Sequence, residues 1–448
     1  MEIIRTMNNV FWGWLVAGIL LLTGVFFTLR LHFPQFRYFT RLFGNLACSM
    51  KGNEKAEGSV SGFGALCAAV GGQVGTGSLV GVATALASGG PGAIFWMWVS
   101  AFFGMSTIYA EATLAQKTRV VDKDGNIQGG PVYYITTAFK GSLGKFLAGF
   151  FAIAIILALG FFGCMVQSNS IGSTIETAFG VPSWIVGIVL VIICAFIFVG
   201  GVSRLASVTE KLVPIMAAVF LLGGLVVLIM RIQYIPATLG MIFKYAFAPQ
   251  AIIGGGLGSA LKIAVAQGAK RGLFSNEAGM GSPPHAHALA QVKCPHEQGT
   301  VAMASVFIDT FVVLTLNALV IISTLYTADG PLANGYTGSV VDTLNNANLA
   351  QTAFGTVFGE NLGSMFVAVC LFFFAFSTIL GWNLFAKINV VYLFGPKAKI
   401  PFIVIALVFI FLGTMASNTL VWDLSDMFNQ LMVIPNALAL FALTGVVV

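Results

Sequence analysis

The sequence is short of charge. Only 8% of its 448 residues are Asp, Glu, Lys or Arg, and 58% are hydrophobic, whereas soluble domains carry about 25% charged residues. Mean hydropathy is +0.93. A string of soluble domains of about 150 residues each, which length alone would suggest, is therefore excluded. Cysteine is scarce as well. Cys48, Cys67, Cys164, Cys194, Cys294 and Cys370 form no C-x-x-C pair and mostly sit in apolar runs, so they read as packing residues rather than a redox or disulfide framework. There is no H-E-x-x-H metal spacing and no G-x-S-x-G nucleophile motif. An integral-membrane enzyme would have to work with Glu277, His285 and His287. The two histidines are two residues apart, which on a helix points them to different faces and makes a poor transition-metal pair. The net charge of +6 is scattered over loops instead of gathered in one patch, so it implies no nucleic-acid partner, and no obligate protein partner is implied either.

What the chain has is apolar runs. An all-α polytopic membrane protein needs spans of about 17–25 apolar residues, and eleven runs qualify: 10–29, 60–88, 91–116, 143–178, 182–200, 211–231, 250–291, 297–325, 357–393, 400–417 and 419–447. The first is long for a signal peptide and no A-x-A site follows it, so it reads as a retained helix. Loops 30–59, 117–145, 201–211, 292–296 and 387–399, with the adjoining helix ends, collect 16 Lys and Arg. The opposite side has only Arg5, Arg231 and Lys244. Positive charge marks the cytoplasmic side, which places the N-terminus outside and the 30–59 loop inside. Within that loop RLHFPQFRYFTRLF alternates aromatic and basic residues, the pattern of a helix lying on the lipid bilayer surface. The connection 326–356 has acids but no Lys or Arg and is placed to cover an outer vestibule.

Two runs are interrupted. The second carries GGQVGTGSLVG at 71–81, and the seventh carries KIAVAQGAKRGLFSNEAGMGSPPHAHALAQ at 262–291. Five glycines in the first, and Gly, Pro and charge in the second, do not suit a straight lipid-facing helix. Backbone that leaves the helix at bilayer depth must be satisfied by protein or a water-filled cavity. Two blander readings stay open: small-xxx-small packing through Gly71/Gly75 and Gly77/Gly81, and an ordinary extramembrane loop at the second site. Setting aside the first span, each break opens a set of five spans. Five is odd, so the sets have opposite topology, the pattern of inverted repeats around a secondary transporter's central site. The division is 1–59 as N-terminal helix and interfacial segment, 60–232 as first repeat and 249–448 as second. Half-helix N-termini suit a carboxylate and unwound carbonyls suit Na⁺, so the two together suit a zwitterion with a coupling cation.

The run KRGLFSNEAGMGSPPHAHA (270–288) resembles the signature of the alanine or glycine:cation symporter family. GQVGTGSLVGVATALASGGPGAIFWMW (72–98), CMVQSNSI (164–171) and FAFSTILGW (374–382) are similar to that family's other motif stretches, in order. The resemblance covers essentially the whole chain. It implies a five-plus-five inverted repeat of the leucine-transporter type with one extra N-terminal helix, 11 transmembrane helices in all. It also implies residence in a bacterial inner or archaeal plasma membrane and Na⁺-coupled uptake of alanine or glycine as the small amino-acid substrate. Carried over, it assigns Thr76 and Gly77 to the substrate carboxylate. Gln167, Asn276 and the backbone at Phe274–Ser275 fall to its polar ends, and Thr378, Trp382, Phe274 and Met280 to the side-chain pocket. A sodium site would use the carbonyls of Gly71 and Val74 and the hydroxyls of Ser377 and Thr378. Ser78 departs from the family's GTGN run, offering a hydroxyl with a shorter reach than Asn, which leaves a contact there open. Plainer roles stand beside these: Phe274 and Trp382 as core aromatics, Gln167 and Asn169 as interhelical hydrogen-bond glue, and Glu277 as a buried partner for Arg271 rather than an ion ligand. Glu111 and Asp309 are further intramembrane acids, each a relay for protons or half of a buried polar pair. A proton-coupled carrier or exchanger of the same fold is the alternative function.

Overall fold

The computed structural model describes residues 6, 8, 15–51, 60–121, 127–247, 257–327, 330–333 and 348–448. The chain is almost wholly helical. The N-terminal helix α1 spans Val16–Arg30 and an amphipathic helix α2 spans Phe39–Lys51. The second run is two helices, α3 (Gly62–Gln73) and α4 (Gly77–Gly89), meeting at 44°. There follow α5 (Gly92–Thr118), a short α6 (Pro131–Ala138), α7 (Gly141–Phe179), α8 (Ser183–Val199), α9 (Gly201–Met230) and α10 (Ile235–Phe247). The seventh run is again split, into α11 (Leu257–Asn276) and α12 (Pro284–Leu289). The chain continues through α13 (Pro295–Tyr326), α14 (Asn348–Phe358), α15 (Glu360–Phe394), α16 (Lys399–Met415) and α17 (Asn418–Ala442).

Among the described residues six helices are long and apolar enough to cross a membrane, and the bent α3–α4 pair makes a seventh. Helices also stand at the other expected positions, but α1 and α8 are shorter apolar elements. The structure differs from the sequence reading in three places. The sixth run starts at Gly201 rather than 211, because the good helix formers around Arg204 and Lys211 extend the apolar helix beyond its greasy part. Connections taken as loops hold α6, α10 and α14. Two residue pairs, Val120–Gln128 and Val121–Ile127, make a small antiparallel ladder, and Val60 bridges Ala290. Residues 52–59 and 334–347, expected as loop, lie outside the described residues, as does the stretch 249–256 before α11.

Lipid-facing surface and interior separate by helix. On α8, Ile188, Val189, Ile192 and Phe196 are exposed, and on α9, Leu222, Leu225, Val226 and Ile229. The centre holds the two broken segments, with α3 against α9, α12 and α15, and α4 against α11. The first half of one segment thus meets the second half of the other, so they cross antiparallel. Around them α5, α7, α13 and α15 carry buried polar side chains such as Glu111, Gln167, Asp309 and Thr378. Two helices in this ring widen into π-helical turns, α7 at Ile156–Gly163 and α13 at Phe307–Leu314, a distortion that recurs at functional sites.

Candidate functional site

The first break is built from glycine and small polar residues. At the end of α3 the Val74 N–H still donates to the Val70 carbonyl (2.7 Å), Gly75 turns back on the Gln73 carbonyl (2.9 Å), and Thr76 N–H, free of the helix, donates to Gln167 Oε1 on α7 (3.2 Å). Gln73 donates through Nε2 to the Asn276 carbonyl of the second break (2.8 Å). Three buried polar atoms here, Thr76 Oγ1, Gln167 Nε2 and Gln73 Oε1, have no hydrogen-bond partner among the described residues. An unpaired buried polar group costs about 1–3 kcal/mol, so a polar ligand is what this arrangement can accommodate: a hydroxyl and an amide donor on one side, an amide acceptor on the other. Gly75 is required by close approach, since a Cβ there would lie 2.3 Å from Thr378 Oγ1 and 3.1 Å from Gln167 Oε1. Gly75→Ala is expected to displace both side chains and to abolish ligand binding in a thermal-shift titration. Undiminished binding would show that neither side chain touches the ligand.

Next to it lies an oxygen cluster. The Gly71 carbonyl accepts from Ser377 Oγ (3.2 Å) and Thr378 Oγ1 (2.9 Å), and both hydroxyls also reach the Phe374 carbonyl (2.9 and 3.0 Å). Val74, where α3 ends, has ψ 82° instead of a helical value, which takes its carbonyl out of the helical direction. Neutral carbonyl and hydroxyl oxygens at a half-helix C-terminus are a donor set that fits Na⁺.

Aromatic rings wall the same space. Phe274 meets Trp382 perpendicularly at 6.2 Å between centroids and Trp422 at 5.1 Å. The π-helical turn of α7 ends at Gly163, where a Cβ would lie 2.6 Å from Trp382 Cζ3, so the missing side chain makes room for the indole. Met280 is buried in the second break. Gly77 lies against Ser275, where a Cβ would come within 2.8 Å of its Cα.

In the second break Glu277, Gly279 and Gly281 take positive φ (55°, 85° and 86°), and the freed backbone is satisfied by protein. Glu111 on α5 accepts from Gly279 N–H (3.0 Å) and from Asn436 Nδ2 on α17 (2.6 Å), while Asn436 also donates to the Gly279 carbonyl (2.8 Å) and accepts from Tyr134. Glu277 accepts from Trp382 Nε1 (2.5 Å) and from Ser282. It is not the partner of Arg271, contrary to the sequence reading. The chain leaves the helix after Asn276 and turns to positive φ at Glu277, whereas Arg271, still on α11, faces α17. There Asp426 pairs with Lys270 Nζ (2.6 Å) and Arg271 Nη1 (3.5 Å), and the guanidinium lies over the Trp422 ring at 4.6 Å. Removing one partner of a buried ion pair is strongly destabilising, so Asp426→Asn is expected to lower the melting temperature in detergent by several degrees; an unchanged melt would mean the cations find other partners.

The structure thus brings Gly71, Val74, Thr76, Gly77, Gln167, Phe274, Thr378 and Trp382 around one region, with Ser377 behind Gly71. It turns three other side chains away. Ser78 and Ser275 donate to Asp309 (2.5 Å, and 2.9–3.0 Å), and Asn276 spends its amide on Thr310 Oγ1 (3.3 Å) and its oxygen on Ala278 N–H (3.1 Å). Asn169 donates to the Gly413 and Ala416 carbonyls (2.9 and 2.7 Å), which is interhelical glue. His285 and His287 have separate partners, Asn389 (2.8 Å) and Gln298 (2.6 Å). Sequence reasoning missed Gln73, although it is the only amide in its break, and it missed Trp422, Asp426 and Asn436, whose signal was polarity inside the last apolar run.

Comparison with known proteins gives the family. The profile of the sodium:alanine symporter family matches residues 1–448. A sodium/alanine symporter of Methanococcus maripaludis is 41% identical over 452 residues, covering 100% of this chain and 95% of that protein. A putative sodium/proton-dependent alanine carrier protein of Bacillus subtilis is 38% identical, covering 99% and 90%. Among solved structures, that of MhsT in complex with L-phenylalanine superposes with a TM-score of 0.59 at 13% identity, over 88% of this chain and 97% of the other. The fold is therefore of the leucine-transporter type, and the chain is a multi-pass membrane transporter, not an enzyme. It belongs to the sodium:alanine symporter family.

Proposed function

We propose that this chain is a Na⁺-coupled symporter importing alanine or glycine by alternating access. The observation that carries the reading is the trio of unpartnered atoms at the first break, Thr76 Oγ1, Gln167 Nε2 and Gln73 Oε1. A zwitterion completes them. Its carboxylate takes the two donors beside the start of α4, where the half-helix adds partial positive charge, and its ammonium takes the Gln73 oxygen. Phe274 and Trp382 then face a small side chain. One Na⁺ sits on Gly71, Val74, Ser377 and Thr378. Eleven spans, with the N-terminus outside and repeats over 60–232 and 249–448, complete the proposed topology. One charge crossing 100 mV supplies about 2.3 kcal/mol and a tenfold Na⁺ gradient roughly 1.4 kcal/mol. Together these sustain an amino-acid ratio of about 500 per Na⁺.

Proton coupling is the rival reading. It is favoured by the three buried carboxylates Glu111, Glu277 and Asp309, which hydroxyl, amide and indole donors hold, and by the proton in the Bacillus relative's name. The two separate by ligand linkage. If both bind one state, alanine raises the melting temperature more in NaCl than in KCl, and Na⁺ raises it more with alanine present, because coupling is reciprocal. Equal alanine shifts in both salts would remove Na⁺ from the site.

A further inference from the structure

Between Glu360 and Asp423 the chain carries Lys387, Lys397 and Lys399 but no Asp or Glu. This stretch is the hairpin of α15 and α16, which turns through Gly395 (φ 77°) and one 3-10 turn, Pro396–Ala398. Lys387 lies two turns before the end of α15 and is 6% exposed. Among the described residues it has no hydrogen bond or ion pair. The charged group that acts on it is Lys399, a second cation at the first position of α16. One turn deeper on the same face of α15, Asn383 is fully buried, and neither its Oδ1 nor its Nδ2 has a partner among the described residues. Burying an unpaired ammonium is expensive, and a like charge beside it adds to the cost. An anion between the two lysines removes both penalties.

We propose that Lys387, Lys399 and Asn383 form a site for the phosphate of an anionic phospholipid, whose acyl chains lie along α16. The two ammonium groups neutralise the phosphate, and Asn383 adds an amide donor and acceptor deeper in the same site. A lysine buries its stem and keeps its head toward the interface, which gives a headgroup access to Lys387. The apolar half of the lipid has a place as well. Ile400, Val404, Val408 and Leu412 of α16 are 59%, 56%, 51% and 47% exposed. They are four apart and make one stripe, which starts beside Lys399 and runs away from the hairpin turn. Basic pockets between helices at the cytoplasmic face bind lipid headgroups, and in the proposed topology this hairpin turns at that face. Lys387 is five residues from Trp382 on the same helix, so a bound headgroup holds the inner end of the helix that carries the pocket wall.

The test uses the delipidated full chain in detergent and depends on neither substrate nor coupling ion. Phosphatidylglycerol or phosphatidylcholine with the same acyl chains is added, bound lipid is counted by native mass spectrometry, and melting is followed in parallel. Each lysine is expected to contribute about fivefold, so wild type prefers phosphatidylglycerol by roughly 25-fold. Lys387→Met and Lys399→Gln are each expected to lower that preference to about fivefold, and the double variant to abolish it. Lys293→Gln, an exposed lysine in another connection, is expected to keep it. Without lipid, Lys387→Met is expected to melt at or above wild type, because an unpaired buried cation is gone; with phosphatidylglycerol it melts below. A lysine with a merely structural role would not reverse sign in this way. Should Lys387→Met fail to fold, Lys399→Gln carries the test. Equal binding of the two lipids by wild type, or an undiminished preference in the folded variants, would overturn the proposal. An equal loss in Lys293→Gln would also overturn it, by making the effect one of overall surface charge. Inorganic phosphate reproducing the whole melting shift would place a free anion there instead of a lipid.

Discussion

Gln167→Ala is expected to weaken alanine binding by about 2–3 kcal/mol, roughly 30- to 150-fold in Kd. In the proposed complex Gln167 Nε2 donates to the substrate carboxylate, and hydrogen bonds to charged groups lie at the strong end of the scale. The same side chain accepts the Thr76 N–H at 3.2 Å, so its loss also frees the first amide after the break. Gln167→Glu divides these two roles. It preserves shape and the acceptor for Thr76, but it sets a carboxylate against the substrate's own. Its binding loss is therefore expected to equal or exceed that of Gln167→Ala, while the melting temperature without ligand falls less. Should Gln167→Glu bind alanine like wild type, the carboxylate does not lie at Gln167 and the zwitterion is oriented some other way.

Trp382→Ala is expected to turn exclusion of large amino acids into acceptance. The indole is 2% exposed and packs perpendicular to Phe274, with Gly163 and Gly72 shaped around it. Apolar pockets discriminate one methylene by about 1–3 kcal/mol, so removing a whole indole is expected to admit valine and leucine as competitors that wild type ignores. Trp382 also donates to Glu277. The alanine variant thus leaves a buried carboxylate short of one donor and is expected to lose stability as well. Trp382→Phe keeps a ring but no donor. It is expected to retain selectivity for small substrates and share only the stability loss. Continued rejection of leucine by a folded Trp382→Ala protein would move the pocket wall elsewhere.

The sequence carried the positions of both breaks because their signal is local. Glycine density at 71–81 and the Gly-Pro run after Glu277 tell where helix fails, and the structure bends at 74–76 and again between Asn276 and Pro284. Partners across the bundle were illegible, since nothing local specifies them. Arg271 was paired with Glu277, the acid on its own span. Its partner, Asp426, is more than 150 residues away. The sequence leaves Asp309 as a proton relay or half of a buried polar pair without naming its partners, because its hydroxyl partners Ser78 and Ser275 come from both breaks and only their antiparallel crossing brings them together. Asn276 was legible as a polar residue in the right place but not in direction: a side chain leaving the last turn of α11 finds Thr310 before it finds the region of Thr76 and Gln167. Helices α6, α10 and α14 went unread because they are shorter than the spanning length by which runs were judged.

Uptake of labelled alanine into proteoliposomes holding the full chain tests the proposed Na⁺ symport most directly. Three drives are compared: an inward Na⁺ gradient, the same with K⁺ in place of Na⁺, and a pH gradient alone. Accumulation above equilibrium is expected only with Na⁺, is expected to increase with an inside-negative potential, and should be inhibited by glycine but not by leucine. Accumulation driven by the pH gradient in K⁺, with no added effect of Na⁺, would contradict sodium coupling and leave the fold serving a proton-driven carrier.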